Sequence, residues 1–370
     1  LHPIGGLIKI FNKENTEWRD GYSGLILGQP SALIDSINSK HRKLFKLYKG
    51  QKQADWQEDE IDMEQTRIDF LNCPPEIYQC MIKNLSYQWE ADSIAANSLI
   101  YVLAPFITDT DFKLSVTKNC EIENLHALTY AEIVRLATPD PQEVIRGVME
   151  SEFISDRADT ILELLEELKE LGCKYVLGMV ENNQELYNKV FLGLLTFYLL
   201  ERMQFMASFA HTFAIVEKGW FQGVGKLVQK IMQDEYYYHC RTMEYAITTE
   251  MASKRGCVAY LQERDKIVKL IRDVRQREYD WNEYIYSTCG VPGVSKDTMN
   301  KQVDYNAQEV YDTLGISLDF KRQDCNPIKF MDDWIDLDKF QNANQEGDNN
   351  NYSLNCFVND VPEGKIFSVY

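Results

Sequence analysis

From residue 31 to about residue 315, apolar side chains recur at helical spacing, and strand-like alternation is scarce. The segments 31–48, 58–70, 74–104, 109–136, 140–155, 156–184, 185–217, 222–254, 259–288 and 295–315 each carry an apolar stripe of period 3.6 or are apolar all round, which predicts helices. In "DTILELLEELKELGCKYV", Ile161, Leu164, Leu165, Leu168 and Leu171 form one stripe with glutamates and lysine opposite, and Gly172 is the expected stop. The apolar run "VFLGLLTFYLL", 190–200, is too short to span a bilayer and ends at Glu201 and Arg202, so it reads as a buried core helix.

No internal repeat and no Pro/Gly/Ser linker divides residues 31–320, which favours one large helical domain over two. Residues 1–30 form an irregular N-terminal segment and 31–328 the helical domain. Residues 329–370 are expected to be a flexible tail, because "NANQEGDNNN" is polar and low in complexity. The last nineteen residues regain apolar and aromatic character, as a peptide meant for a partner would.

Composition narrows the function. The formal charge of −18 argues against attraction to nucleic acid or to an anionic membrane. The N-terminus lacks the pattern of a signal peptide, and nine cysteines are scattered without a C-x-x-C pair. A reducing cytoplasm is expected, with neither a zinc site nor a disulfide framework.

The polar residues on the apolar helices carry the chemistry. In "CEIENLHALTYAEI", 120–133, Glu123, His126 and Tyr130 fall within about 60° of one another on a helix face. Glu235 precedes His239 by one turn in "DEYYYH". Glu201 interrupts an apolar helix, where an ionised carboxylate needs a cation; Arg202 beside it points about 100° away. Asp92, in "YQWEADS", again precedes a strongly apolar stretch. Four helices would then offer Asp92, Glu123 with His126, Glu201, and Glu235 with His239. This is the donor pattern of di-iron or di-manganese carboxylate sites in helical bundles. Four carboxylates neutralise two divalent ions, and oxygen donors with one imidazole per ion suit iron or manganese.

These stretches, with "LERMQFMASFAHTFA" at 200–214 and "IMQDE" at 231–235, resemble the radical-generating small subunit (R2) of class I ribonucleotide reductase, from about residue 28 to the C-terminus. The resemblance implies an all-α, ferritin-like helical bundle with additional helices. It implies two iron ions, or two manganese ions, with Asp92, Glu123 and His126 on one and Glu201, Glu235 and His239 on the other. Tyr130 would be the radical, formed when the centre reacts with molecular oxygen. Phe205, Phe209 and Ile231 match the residues that line the radical pocket. Trp56, 36 residues before Asp92, and Asp234 match an electron relay that reaches the metals through His126. Tyr352 and Glu346 match the tail relay toward the large subunit, which the C-terminus would bind, and the chain would be a homodimer.

One departure stands out. The family has two residues between the last glutamate and histidine; here Tyr236, Tyr237 and Tyr238 make three, which an i+4 pair or a π-bulge could absorb. His211, in the apolar "SFAHTFA", is expected to be a satisfied core histidine. Two other readings stay open: a related di-metal oxidase or hydroxylase acting directly on a small substrate, and a non-enzymatic helical scaffold.

Overall fold

A computed structural model describes residues 8–21, 24–30, 32–291 and 293–337. The described residues form helices α1 (Glu17–Asp20), α2 (Arg42–Gln53), α3 (Glu64–Asn72), α4 (Pro75–Ser98), α5 (Thr110–Ala137), α6 (Pro141–Glu150), α7 (Glu152–Val176) and α8 (Gln184–Leu199). These are followed by α9 (Met206–Val216), α10 (Gln222–Asp234), α11 (Cys240–Ala252), α12 (Lys254–Gln262), α13 (Arg264–Thr288), α14 (Lys296–Leu314) and α15 (Phe330–Ile335). Among the described residues no strand forms, and one isolated bridge joins Ile26 to Ile107.

Helix starts are written in local chemistry. Asp109, Asp140, Ser151, Asn183, Ser253 and Ser295 each accept a backbone N–H of the helix that follows. The same chemistry delays α2 beyond the expected residue 31: Asp35 accepts from Ile37 N and Asn38 N, which holds a turn where the apolar pattern favours a helix. Gly172 does not end α7. It sits inside the helix, where a Cβ would come 3.3 Å from Pro105 Cγ, so it permits a close approach, and the chain turns at Gly178 with φ 69°.

Four lengths of helix close a ring around the centre: α4 packs on α5 and α9, α5 on α10 and α11, and α9 on α10. Three of these lengths carry a π-helical turn: Leu99–Leu103 continues α4. Leu200–Phe205 joins α8 to α9, and Glu235–His239 joins α10 to α11. The long apolar helix running from α8 through α9 is buried, as a core helix should be.

The helical unit extends past both expected boundaries. Leu25, Ile26 and Leu27 are buried in the same core, and α15 lies within the segment assigned to the tail. Trp334 of α15 stacks on Phe213 at 4.4 Å, and Met331 and Trp334 are the residues of this short helix that are buried against the core. Glu346, Tyr352 and the C-terminal peptide lie outside the described residues.

Candidate metal centre

The six acids and histidines picked from sequence converge on one point, each at most 1% exposed. Two quartets can each surround an ion with donor atoms within 4.8 Å of one another: Asp92, Glu123, His126 and Glu235, and Glu123, Glu201, Glu235 and His239. Glu123 and Glu235 belong to both, which places them between the two positions. The π turn explains how "EYYYH" manages this. Its wider winding absorbs the third intervening residue, leaving His239 Nδ1 2.8 Å from Glu235 Oε2 and 3.0 Å from Glu123 Oε1.

Electrostatics shows what the cluster lacks. Asp92 is pushed well above the usual carboxylate range by burial and then by Glu123; Glu201 is pushed up by burial, Glu235 and Glu123. Burial also raises Glu235, but His239 and His126 outweigh it and hold it low. Burial lowers His239 while Glu235 and Glu123 raise it, to about 9. Both oxygens of Asp92 and one oxygen of Glu201 have no hydrogen-bond donor. Among the described residues no lysine or arginine pairs with them. Arg202 turns away from Glu201, its Nε 2.7 Å from Glu309 Oε2 and its Nη1 3.1 Å from Asn306 Oδ1. Arg241, two residues after His239, reaches the same Glu309 at 2.6 Å. Two imidazoles cannot balance four carboxylates, so the donor set fits two divalent cations.

The second nitrogens of the histidines are anchored from outside. His126 Nε2 lies 3.3 Å from Asp234 Oδ2, and Trp56 Nε1 donates to that same oxygen at 2.7 Å. The Trp56 ring stacks on His126 with centroids 6.0 Å apart, and Trp56 is only 4% exposed, so it is no surface tryptophan. His239 Nε2 meets Gln51 at 2.7 Å. Gln51 was missed in the sequence, although it continues the buried stripe of Leu44 in α2. Gly50 lets α2 come this near: a Cβ there would stand 3.1 Å from the Tyr238 ring. The Asp234 carboxylate accepts from His126 Nε2, the Gln51 amide nitrogen donates to His239 Nε2, and Nδ1 of each ring faces the acids.

Tyr130 is fully buried against the cluster. Burial, then Asp92, Glu235 and Glu123, raise its phenol well above the usual value, and its hydroxyl has no partner of normal hydrogen-bond geometry. Phe205 and Phe209 stack at 5.9 Å and, with Ile231, are fully buried. His211 is a core histidine, with Nδ1 3.0 Å from the Ala207 carbonyl and its pKa lowered by burial to about 3.

Comparison with known proteins agrees with this geometry. The family described as "Ribonucleotide reductase, small chain" matches residues 34–327. The chain belongs to that family. The ribonucleoside-diphosphate reductase 1 subunit beta of Salmonella typhimurium is 27% identical over 350 residues, covering 91% of this chain and 93% of the relative. Among solved structures, the ribonucleotide reductase R2 subunit from Clostridium botulinum superposes with a TM-score of 0.79 at 16% identity, covering 90% of this chain and 99% of that one. An R2-like ligand-binding oxidase with a Mn/Fe cofactor gives 0.60 at 15% identity, covering 76% and 96%. The ferritin-like helical fold expected from sequence is the fold of these neighbours. The chain is thus the small subunit of an oxidoreductase, ribonucleoside-diphosphate reductase, and its family works with a large subunit.

Proposed function

We propose that Asp92, Glu123, His126, Glu201, Glu235 and His239 hold two iron ions, and that Tyr130 stores the oxidising equivalent as a tyrosyl radical for ribonucleotide reduction. Bound at this point, such a centre supplies the capacity to react with molecular oxygen and take one electron from the phenol. The observation that carries the reading is Tyr130, fully buried with its hydroxyl against Asp92 and without a hydrogen-bond partner of normal geometry. In this reading the phenol proton moves to a carboxylate oxygen of the cluster. Phe205, Phe209 and Ile231 keep reductants and water from the oxidised ring. Asp234 holds the imidazole of His126 and the indole of Trp56 together, so an electron can travel between the surface side and the cluster.

Iron is favoured by hard oxygen donors with one imidazole per position, and the same set accommodates manganese. From Trp56 the relay would continue to the large subunit through Tyr352 and Glu346 of the tail, in a cytoplasmic homodimer.

The test is anaerobic Fe(II) loading followed by oxygen, read by metal analysis and electron paramagnetic resonance. The expected result is two metals per chain and a tyrosyl signal absent from Tyr130→Phe with metal content unchanged. Two metals with a signal that survives Tyr130→Phe, or no signal at all, would overturn it.

A further inference from the structure

The indole of Trp56 is held by more than its bond to Asp234. Lys230 and Asp234 lie one turn apart on α10, so their side chains leave one helix face toward the same ring. Asp234 takes the indole N–H at 2.7 Å, while Lys230 Nζ stands 5.9 Å from the ring centroid, within cation–π range. His126 stacks on that ring with centroids 6.0 Å apart and planes inclined by 21°.

The ammonium is itself fixed from the segment that carries the ring. Residues 54–63 form no helix, and Glu60 lies in this stretch just after Trp56. Glu60 Oε2 is 2.9 Å from Lys230 Nζ, and Glu60 Oε1 accepts the Gln57 N–H at 2.8 Å. One carboxylate thus closes the turn after Trp56 and ties that turn to α10. On the other side of the ring, Asp55 Oδ1 lies 2.6 Å from Lys118 Nζ of α5, whose side chain is buried. Two ion pairs, one to each helix, fix where the indole sits.

We propose that Lys230, set by Glu60, is a positioning residue that fixes how readily Trp56 gives up an electron. The inference rests on the relay reading of Trp56 and adds the residues that set the height of that step. Removing one electron from the indole leaves a positive ring, which a neighbouring cation disfavours. The Lys230 ammonium therefore opposes the departure, and Glu60 limits the opposition by neutralising the ammonium at 2.9 Å. The oxidant gains the one electron that the ring loses, and the indole proton stays in the hydrogen bond to Asp234. With the ammonium in place, the oxidised ring is refilled from the next donor and does not persist. Trp56 then passes electrons, and storage is left to Tyr130.

The test uses the full-length chain, with and without bound metal, and a photogenerated ruthenium(III) complex as the one-electron oxidant. Transient absorbance reads the indole radical, and the Trp56 share is the part of the signal lost in Trp56→Phe. Lys230→Met should raise that share about three- to tenfold, and Glu60→Gln should lower it severalfold. Lys230→Arg should keep it near the parent value. Opposite shifts separate a charge effect from packing, because loosening the segment would move both variants the same way. The proposal fails if Lys230→Met and Glu60→Gln shift the share in one direction, if neither shifts it, or if Trp56→Phe removes none of the signal. The relay reading fails by a different result: a tyrosyl signal that forms at the parent rate in Trp56→Phe after Fe(II) loading and oxygen.

Discussion

Two of the places where carboxylates are kept away from water are treated in opposite ways. Glu278 on α13 is met by Arg157 on α7, whose Nε and Nη2 donate to its two oxygens at 2.8 and 2.6 Å, while Tyr87 covers the guanidinium face at 3.5 Å. Asp92, Glu123, Glu201 and Glu235 meet no such guanidinium among the described residues, and Arg202, the nearest in sequence to Glu201, is committed to Glu309. At Glu278 the fold supplies an internal cation, and at buried Glu250 it supplies the Tyr187 hydroxyl and the Leu25 N–H. At the cluster, four acids crowd together with oxygens left without a donor, so the compensating charge has to come from outside the chain, and that difference separates a stabilising pair from a binding site.

The comparison can be broken first at the internally compensated pair. Arg157→Met strands Glu278 in the core and should cost about 3–5 kcal/mol in denaturant unfolding, whereas Arg157→Met with Glu278→Leu should recover most of it. If the single substitution is neutral, Glu278 was never dependent on its partner.

A smaller effect is expected at the other region. Gln51→Leu removes the outward anchor of His239 and should weaken metal binding by about 10- to 100-fold, measured by competition with a chelator, with little change in the stability of the metal-free chain. An equal loss of metal-free stability would make Gln51 a packing residue instead.

The smallest effect is a pH slope. Asp92 and Glu201 are raised in the folded chain, and His239 rises from 6.5 to about 9. Each therefore contributes stability that is full below its unfolded value and lost as pH climbs through its folded value. Metal-free protein should melt at progressively lower temperature from pH 6.5 to about 9, the interval of His239, and the slope should flatten when two divalent ions are bound. A rising melting temperature over that interval would contradict the charge assignment.

The sequence exposes one of these regions far better than the other. Glu201 is visible because it interrupts an apolar helix, and Glu123 with His126 because their spacing puts them on one face. The extra tyrosine before His239 raises the π turn as one solution, and the structure contains it. Arg157 and Glu278 are 121 residues apart, and each sits among charged neighbours that look solvated, so nothing local announces their pairing. Gln51 is hidden differently: a glutamine among lysines resembles surface until its place on the stripe with Leu44 is noticed. The late start of α2 escaped because Asp35 satisfies two backbone donors, and the helix through Gly172 because tight packing, not conformational freedom, explains that glycine. Both outcomes depend on partners distant in sequence or on side-chain geometry that hydrophobic periodicity does not encode.

Glu309 of α14 holds Arg202 on one π turn and Arg241 just beyond the turn Glu235–His239, and Tyr236 lies between the two guanidiniums at 5.7 and 5.0 Å. A slide of either helix back into regular winding would pull one arginine off this shared bolt. These two π turns are therefore locked as a single frame, and adjustment at the centre is left to carboxylates swinging about their own side-chain bonds while the backbone keeps its register.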